Sequence, residues 1–176
     1  MMVYLYGSNH VYRTWELSVD NHIKQQADAL LDAGELVELY ELLAPYLEQG
    51  DGYAQFLYSS FSLEILNETE DEFEARSMQL LNSASEAGIA EASYRLGVIY
   101  LYGDFVENNS KRSSDYFERA IAQGHSHSKF TYGFNLYYGV GDVQQDKAKG
   151  LQLMQQAAQE GVTLAADELS IINAHR

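Results

Sequence analysis

Three glycines set the ruler of this chain. Gly88, Gly124 and Gly161 each follow a helix-like run and stand 36 and 37 residues apart. Four places before them come Ala84, Ala120 and Ala157, and seven before come Leu81, Phe117 and Met154. Four places after come Ala92, Ser128 and Ala165, and eight after come Leu96, Tyr132 and Leu169. Gly50, 38 residues upstream of Gly88, fits the same frame with Ala54 and Tyr58. Self-similarity at a period between about 20 and 50 residues marks a repeat architecture, in which short units bury their apolar stripes against one another.

The letters between the glycines spell helix. A single proline in 176 residues, with abundant Ala, Leu, Glu and Gln, favours helical backbone throughout. Asp20 opens the first clear helix as its N-cap, with Ile23, Ala27, Leu30 and Leu31 on one face, and Gly34 stops it. A second helix carries Leu36, Leu39, Leu42, Leu43 and Tyr46, and Pro45 is expected to kink or divide it. These two form a degenerate hairpin over 20–50. Three full repeats follow at 51–88, 89–124 and 125–161, and a lone helix over 162–176 closes the stack. Helix A of repeat one is expected over Tyr53 to Leu66, and helix B over Glu72 to Ala87, with Thr69 and Glu72 forming a capping box. Small residues such as Ala120 mark the places where helices cross closely. Residues 1–19 read as an arm of unclear structure.

The residues of the third repeat carry a family resemblance. Gly133, Leu136-Tyr137, Gly139-Val140-Gly141, Asp146, Lys147-Ala148, Ala157-Ala158 and Gly161 resemble the Sel-one-like repeat (SLR), a relative of the tetratricopeptide repeat. Repeat two keeps Ala92, Leu96-Gly97, Ile99-Tyr100 and Gly103, and repeat one keeps Ala54, Ala75, Ala84 and Gly88 but has Ser59 at a glycine place. The resemblance implies an all-α, right-handed superhelical solenoid. It also implies an adaptor or regulator that binds a protein and catalyses nothing, with no cofactor.

By the same resemblance the first helix of each pair lines a concave groove. Aligned on Ser59, Gly97 and Gly133, repeat one offers Tyr53, Phe56, Leu63 and Glu64. Repeat two offers Glu91, Tyr94, Val98, Leu101 and Tyr102, and repeat three offers His127, Phe130, Phe134, Tyr137 and Tyr138. Tyrosine brings contact area with few rotors to freeze, which suits an interface.

Charge narrows the partner. Net charge is −15, and residues 16–74 hold 15 acids against Lys24 alone. Such a field repels nucleic acid and anionic lipid and speeds the approach of a basic protein. That suggests a second function, a bacterial immunity protein that neutralises a basic toxin or nuclease by direct binding. The absence of cysteine excludes disulfides and thiolate metal sites. No run reaches the roughly 18 apolar residues of a membrane span, and the first residues lack a signal-peptide pattern. A cytoplasmic protein is the expectation.

Signals for chemistry are weak. Ser126-His127-Ser128-Lys129 has the S-x-x-K spacing of serine acyl enzymes but lacks the companion motifs. His125 and His127 point apart on a helix, without an obvious third metal ligand. The run Glu68, Glu70, Asp71, Glu72 and Glu74 lacks the spacing of a calcium loop and reads as a solvated face. Asn67-Glu68-Thr69 and Asn108-Asn109-Ser110 match the glycosylation pattern, which acts only on a secreted chain.

Overall fold

The structure, a computed structural model, describes residues 18–174. Among them lie nine helices and no strand: α1 (Asn21–Ala33), α2 (Leu36–Leu47), α3 (Gly52–Tyr58), α4 (Glu70–Glu86), α5 (Ala90–Tyr102), α6 (Ser110–Ala122), α7 (Ser126–Tyr138), α8 (Lys147–Gln159) and α9 (Thr163–Ala174). They pack as successive hairpins in sequence order. The expected arm falls outside the described residues except for Ser18 and Val19. The Val19 amide donates to Asp51 Oδ2 at 3.1 Å, which ties the entry of α1 to the entry of α3.

The glycine ruler has a geometric cause. Gly88, Gly124 and Gly161 hold φ of 93°, 94° and 91°, a left-handed conformation that side chains disfavour. The turn lets the next amide reach back to a carbonyl in the last turn of the preceding helix. Ile89 bonds Ala84 at 3.0 Å, His125 bonds Ala120 at 2.9 Å and Val162 bonds Ala157 at 3.0 Å. This six-to-one bond is the Schellman closure. It aims each new helix along the flank of the last.

Small residues then set how near the helices come. Ala54, Ala92, Ser128, Ala165, Ala84, Ala120 and Ala157 are all fully buried, with Leu81, Phe117 and Met154 between them. Within each hairpin the crossing lies at Ser59, Gly97 or Gly133. The Ser77 hydroxyl donates to the Ser59 carbonyl at 2.7 Å, and the Ser113 hydroxyl donates to the Gly97 carbonyl at 2.8 Å. In the third hairpin neither helix has a side chain there. A methyl added at Gly150 would lie 2.6 Å from the Gly133 carbonyl oxygen, so backbone meets backbone.

Repeat one departs from the expected pattern. Its helix A ends at Tyr58, not Leu66. The Ser59 and Ser60 hydroxyls donate to the Phe56 and Leu57 carbonyls at 2.6 and 2.5 Å, which competes with further helix. The freed carbonyls of Tyr58 and Phe61 accept from Arg76 on α4 at 2.9 and 3.0 Å. Arg76 also grips Glu68 through both carboxylate oxygens, at 2.6 and 2.7 Å, and lies over the Tyr58 ring at 4.1 Å. One guanidinium thus replaces the missing turns. The capping box at Thr69 and Glu72 forms as expected, with α4 starting at Glu70. Pro45 does not divide α2. It lies in the last turn, where it removes one bond, and the helix continues through Leu47.

One core position breaks the repeat. Eleven places after the glycines stand Phe61, Ile99, Asn135 and Ile172, all buried. The Asn135 amide nitrogen has no hydrogen-bond partner among the described residues. Asn135→Ile should therefore raise the urea midpoint, by about 1–3 kcal/mol of stability if the whole desolvation cost is recovered. Glu68 makes a second test. Its carboxyl is held at about 2, chiefly by the Arg76 hydrogen bonds and against the opposing effect of burial. A depressed carboxyl stabilises the fold above its unfolded pKa, and that contribution fades as pH falls towards the folded value. Glu68→Gln should lower stability at neutral pH and flatten the acid loss between about pH 4.5 and about pH 2 in denaturation curves.

Candidate partner-binding face

The first helices of the repeats, α3, α5, α7 and α9, touch in turn. Phe56 packs against the core that holds Ala92, and the Tyr94 hydroxyl lies 3.5 Å from Thr131 Oγ1. Phe130 packs on Val162 and Ala165, and the Tyr138 hydroxyl donates to Glu168 at 2.5 Å. At 3.6 residues per turn, positions three, seven, ten and fourteen after each glycine share the outward side of these helices. On α5 these are Glu91, Arg95, Val98 and Tyr102. On α7 they are His127, Thr131, Phe134 and Tyr138, and on α9 they include Leu164 and Ile171. Tyr102 is 67% exposed, Leu164 58%, Ile171 52% and Tyr138 44%.

An aromatic column runs down this face. Phe134 stands 6.1 Å from Phe130 and 4.7 Å from Tyr138, and Tyr137 meets Tyr138 edge-on at 4.9 Å. The carboxylate of Glu168 accepts the hydrogen bond from Tyr138 and raises that phenol to about 12. Glu91 and His127 lie exposed at the starts of α5 and α7.

Several residues expected in the groove lie elsewhere. Leu101 is buried because the 3-10 turn Val140–Asp142 closes over it, with Gly141 against its side chain, and Val143 joins the same core. Leu63 is buried in the first core, and Phe56 bridges the first two cores. Glu64 is exposed, but it lies in the 3-10 turn Glu64–Leu66 because α3 ends early. Tyr53 is half-buried and donates to Asp28 of α1 at 2.8 Å, with burial and that carboxylate both raising its pKa. Tyr94 is wedged between Phe117 at 6.0 Å and His125 at 4.7 Å. Tyr137 is half-buried with Lys147 over its ring. Arg95, Thr131, Leu164 and Ile171 were not among the expected residues, although the three-place, seven-place and ten-place offsets point to them.

The residues that hinted at chemistry have structural partners. Ser126 and Lys129 both bind the Glu160 carboxylate, on its two oxygens, so α7 is clasped to the end of α8. His125 Nδ1 accepts the Ser128 amide at 3.1 Å and so caps α7. Burial pushes this imidazole down, with Glu91 opposing and His127 adding to the shift. In the acidic run, Glu68 is taken by Arg76 and Glu72 by the Thr69 cap. No group of three or more potential metal ligands is assembled among the described residues. No described helix is long and apolar enough to cross a membrane.

Comparison places this architecture. Residues 90–125 and 128–162 each match the Sel1 repeat family. A crystal structure of a Sel1 repeat protein from Oxalobacter formigenes is similar with a TM-score of 0.61 and 27% identity, over 73% of this chain and 94% of that one. The structure of c5321, a protective antigen of uropathogenic Escherichia coli with an SLR fold, is similar in fold with a TM-score of 0.58 and 24% identity. That match covers 69% of this chain and 25% of the antigen. No curated protein matches the sequence. Proteins built of Sel1 repeats typically serve as non-catalytic scaffolds that bind other proteins. The chain carries two Sel1 repeats, at residues 90–125 and 128–162, within an all-helical SLR-fold solenoid.

Proposed function

We propose that this protein is a non-catalytic binding module that holds a partner protein on the outward face of α5, α7 and α9. The exposed side chains on that face carry the reading. Tyr102, Tyr138, Leu164 and Ile171 leave large apolar surface in water on the outward sides of α5, α7 and α9, and Phe134 joins them from a half-buried position. Aromatic anchors of this kind supply most of the energy in protein interfaces. The clasp of Ser126 and Lys129 by Glu160 supports a structural rather than catalytic role for that pair. A cytoplasmic setting and a basic partner complete the proposal. Affinity capture from the source cell followed by mass spectrometry identifies the partner. Tyr102→Ala with Tyr138→Ala should abolish its capture while the helical circular dichroism stays unchanged, since both rings are exposed. Undiminished capture by the folded double variant would remove this face from consideration.

A second reading, inhibition of a basic toxin or nuclease, is favoured by charge placement. The hairpin over 20–50 and repeat one hold nearly all the excess acid, while α5 to α9 are close to balanced. An acidic end would accelerate capture of a basic target without adding contacts. The association rate should then fall steeply as salt rises from low to physiological strength. A flat salt dependence would show that the acidic hairpins play no part in steering.

A further inference from the structure

The described residues include four arginines, and three of them have acceptors. Arg76 is fully engaged by Glu68 and two carbonyls. Arg112 donates to the Tyr100 hydroxyl at 3.2 Å, and Arg119 donates to Ser85 Oγ at 3.3 Å. Among the described residues Arg95 has neither a hydrogen-bond nor an ion-pair partner, although it is half-buried on α5. Burial is the one influence acting on its guanidinium, and it pushes the pKa down. Removing a charged donor from water without a partner is costly, so an acceptor brought from outside would be favoured there.

The surroundings of Arg95 form a built cleft. A hollow of about 500 Å³ lies beside it, with Val98 and Ile99 of α5, Glu74 of α4, and Asp104 and Phe105 after α5. Phe105 is 36% exposed and holds a left-handed φ of 65°, which is rare for an aromatic residue. Its ring meets Phe73 edge-on at 6.2 Å and so stands as a fixed wall. Backbone strain at a cleft is characteristic of binding sites. Position seven places Arg95 on the same outward side of α5 as Val98 and Tyr102.

We infer that Arg95 receives the carboxylate of an aspartate or glutamate side chain from the partner, with an adjoining apolar side chain of the partner lying on Val98 and Tyr102. The inference rests on the reading that this face binds a protein. A guanidinium offers donors and no acceptor, and its fork matches a carboxylate through two parallel bonds. A basic side chain is therefore refused at this point. A free anion is disfavoured too, because the carboxylates of Glu74 and Asp104 line the same hollow. A carboxylate carried on a polypeptide overcomes that repulsion through its apolar neighbour. The acidic hairpins would then act on the partner at a distance, and Arg95 would select the contact.

Selection from a phage-displayed library of random dodecapeptides tests this on the intact protein. Peptides enriched on the wild-type chain should carry Asp or Glu beside an apolar residue. Replacing that acid by its amide in the synthetic peptide should weaken binding roughly tenfold or more to the wild type and less than about twofold to Arg95→Gln. Arg95→Lys keeps the charge without the fork, and its response should fall between the two. If Arg95→Gln is not folded by circular dichroism, the same comparison with Arg95→Lys decides. Enriched peptides with no acid, or an amide replacement that costs both proteins equally, would overturn the role of Arg95 and leave the face intact. Enrichment that survives Tyr102→Ala with Tyr138→Ala, or no enrichment at all, would overturn the face and the inference with it.

Discussion

Backbone proximity governs this molecule. At the crossing of α7 and α8 two glycines face each other, and even a methyl on either would strike main-chain atoms. Close approach maximises dispersion contact along the helices, because a gap of about 0.5–1 Å already forfeits a quarter to a half of the attraction. The first two hairpins reach the same crossing with serines that bond the opposing carbonyl. Everything outside depends on this spacing. It sets the separation of the first helices, and hence which side chains meet across them and which are left in water.

The left-handed glycines complete the constraint. A solenoid needs the same turn after every second helix, or its units would not register. Gly88, Gly124 and Gly161 deliver that turn within a few degrees of one another. Where the pattern fails, in repeat one, an ion pair takes over. Arg76 gathers a carboxylate and two orphaned carbonyls at the point where helix A stops short. That solution ties the closure of repeat one to the charge of Glu68, whose carboxyl is held at about 2.

The same architecture explains the composition of the outward face. Positions that point between helices are filled by Tyr94, Phe130 and their neighbours, which are consumed in holding units together. Positions that point outward take a smaller share of that duty, through Thr131 against Tyr94 and Tyr138 against Glu168. They hold an aromatic column on α7, exposed Tyr102 on α5, and Leu164 and Ile171 on α9. Arg95 lies among them, half-buried and without a partner among the described residues. A folded chain tolerates such exposed apolar area and such a cation when a binding partner recovers the energy.

Much of the fold was legible in the residues because period and cap chemistry are local. Gly34, Asp20 and the Thr69-Glu72 box act on neighbours a few places away, and the glycine spacing repeats them down the chain. The outward face was legible only in part. Tyr102, Glu91, His127, Phe134 and Tyr138 could be placed by offset from the crossing residues. Leu101 could not, since a 3-10 turn forty residues later covers it. Nor could the early end of α3, because the arginine that stabilises it lies on another helix. Sequence by itself determined the order of the helices and the closures between repeats, through interactions spanning a single turn. Tertiary structure decided which aromatic rings are core, which carboxylates are spent on Arg76, Lys129 and Tyr138, and which arginine is left waiting, because burial and pairing are settled only when distant segments meet.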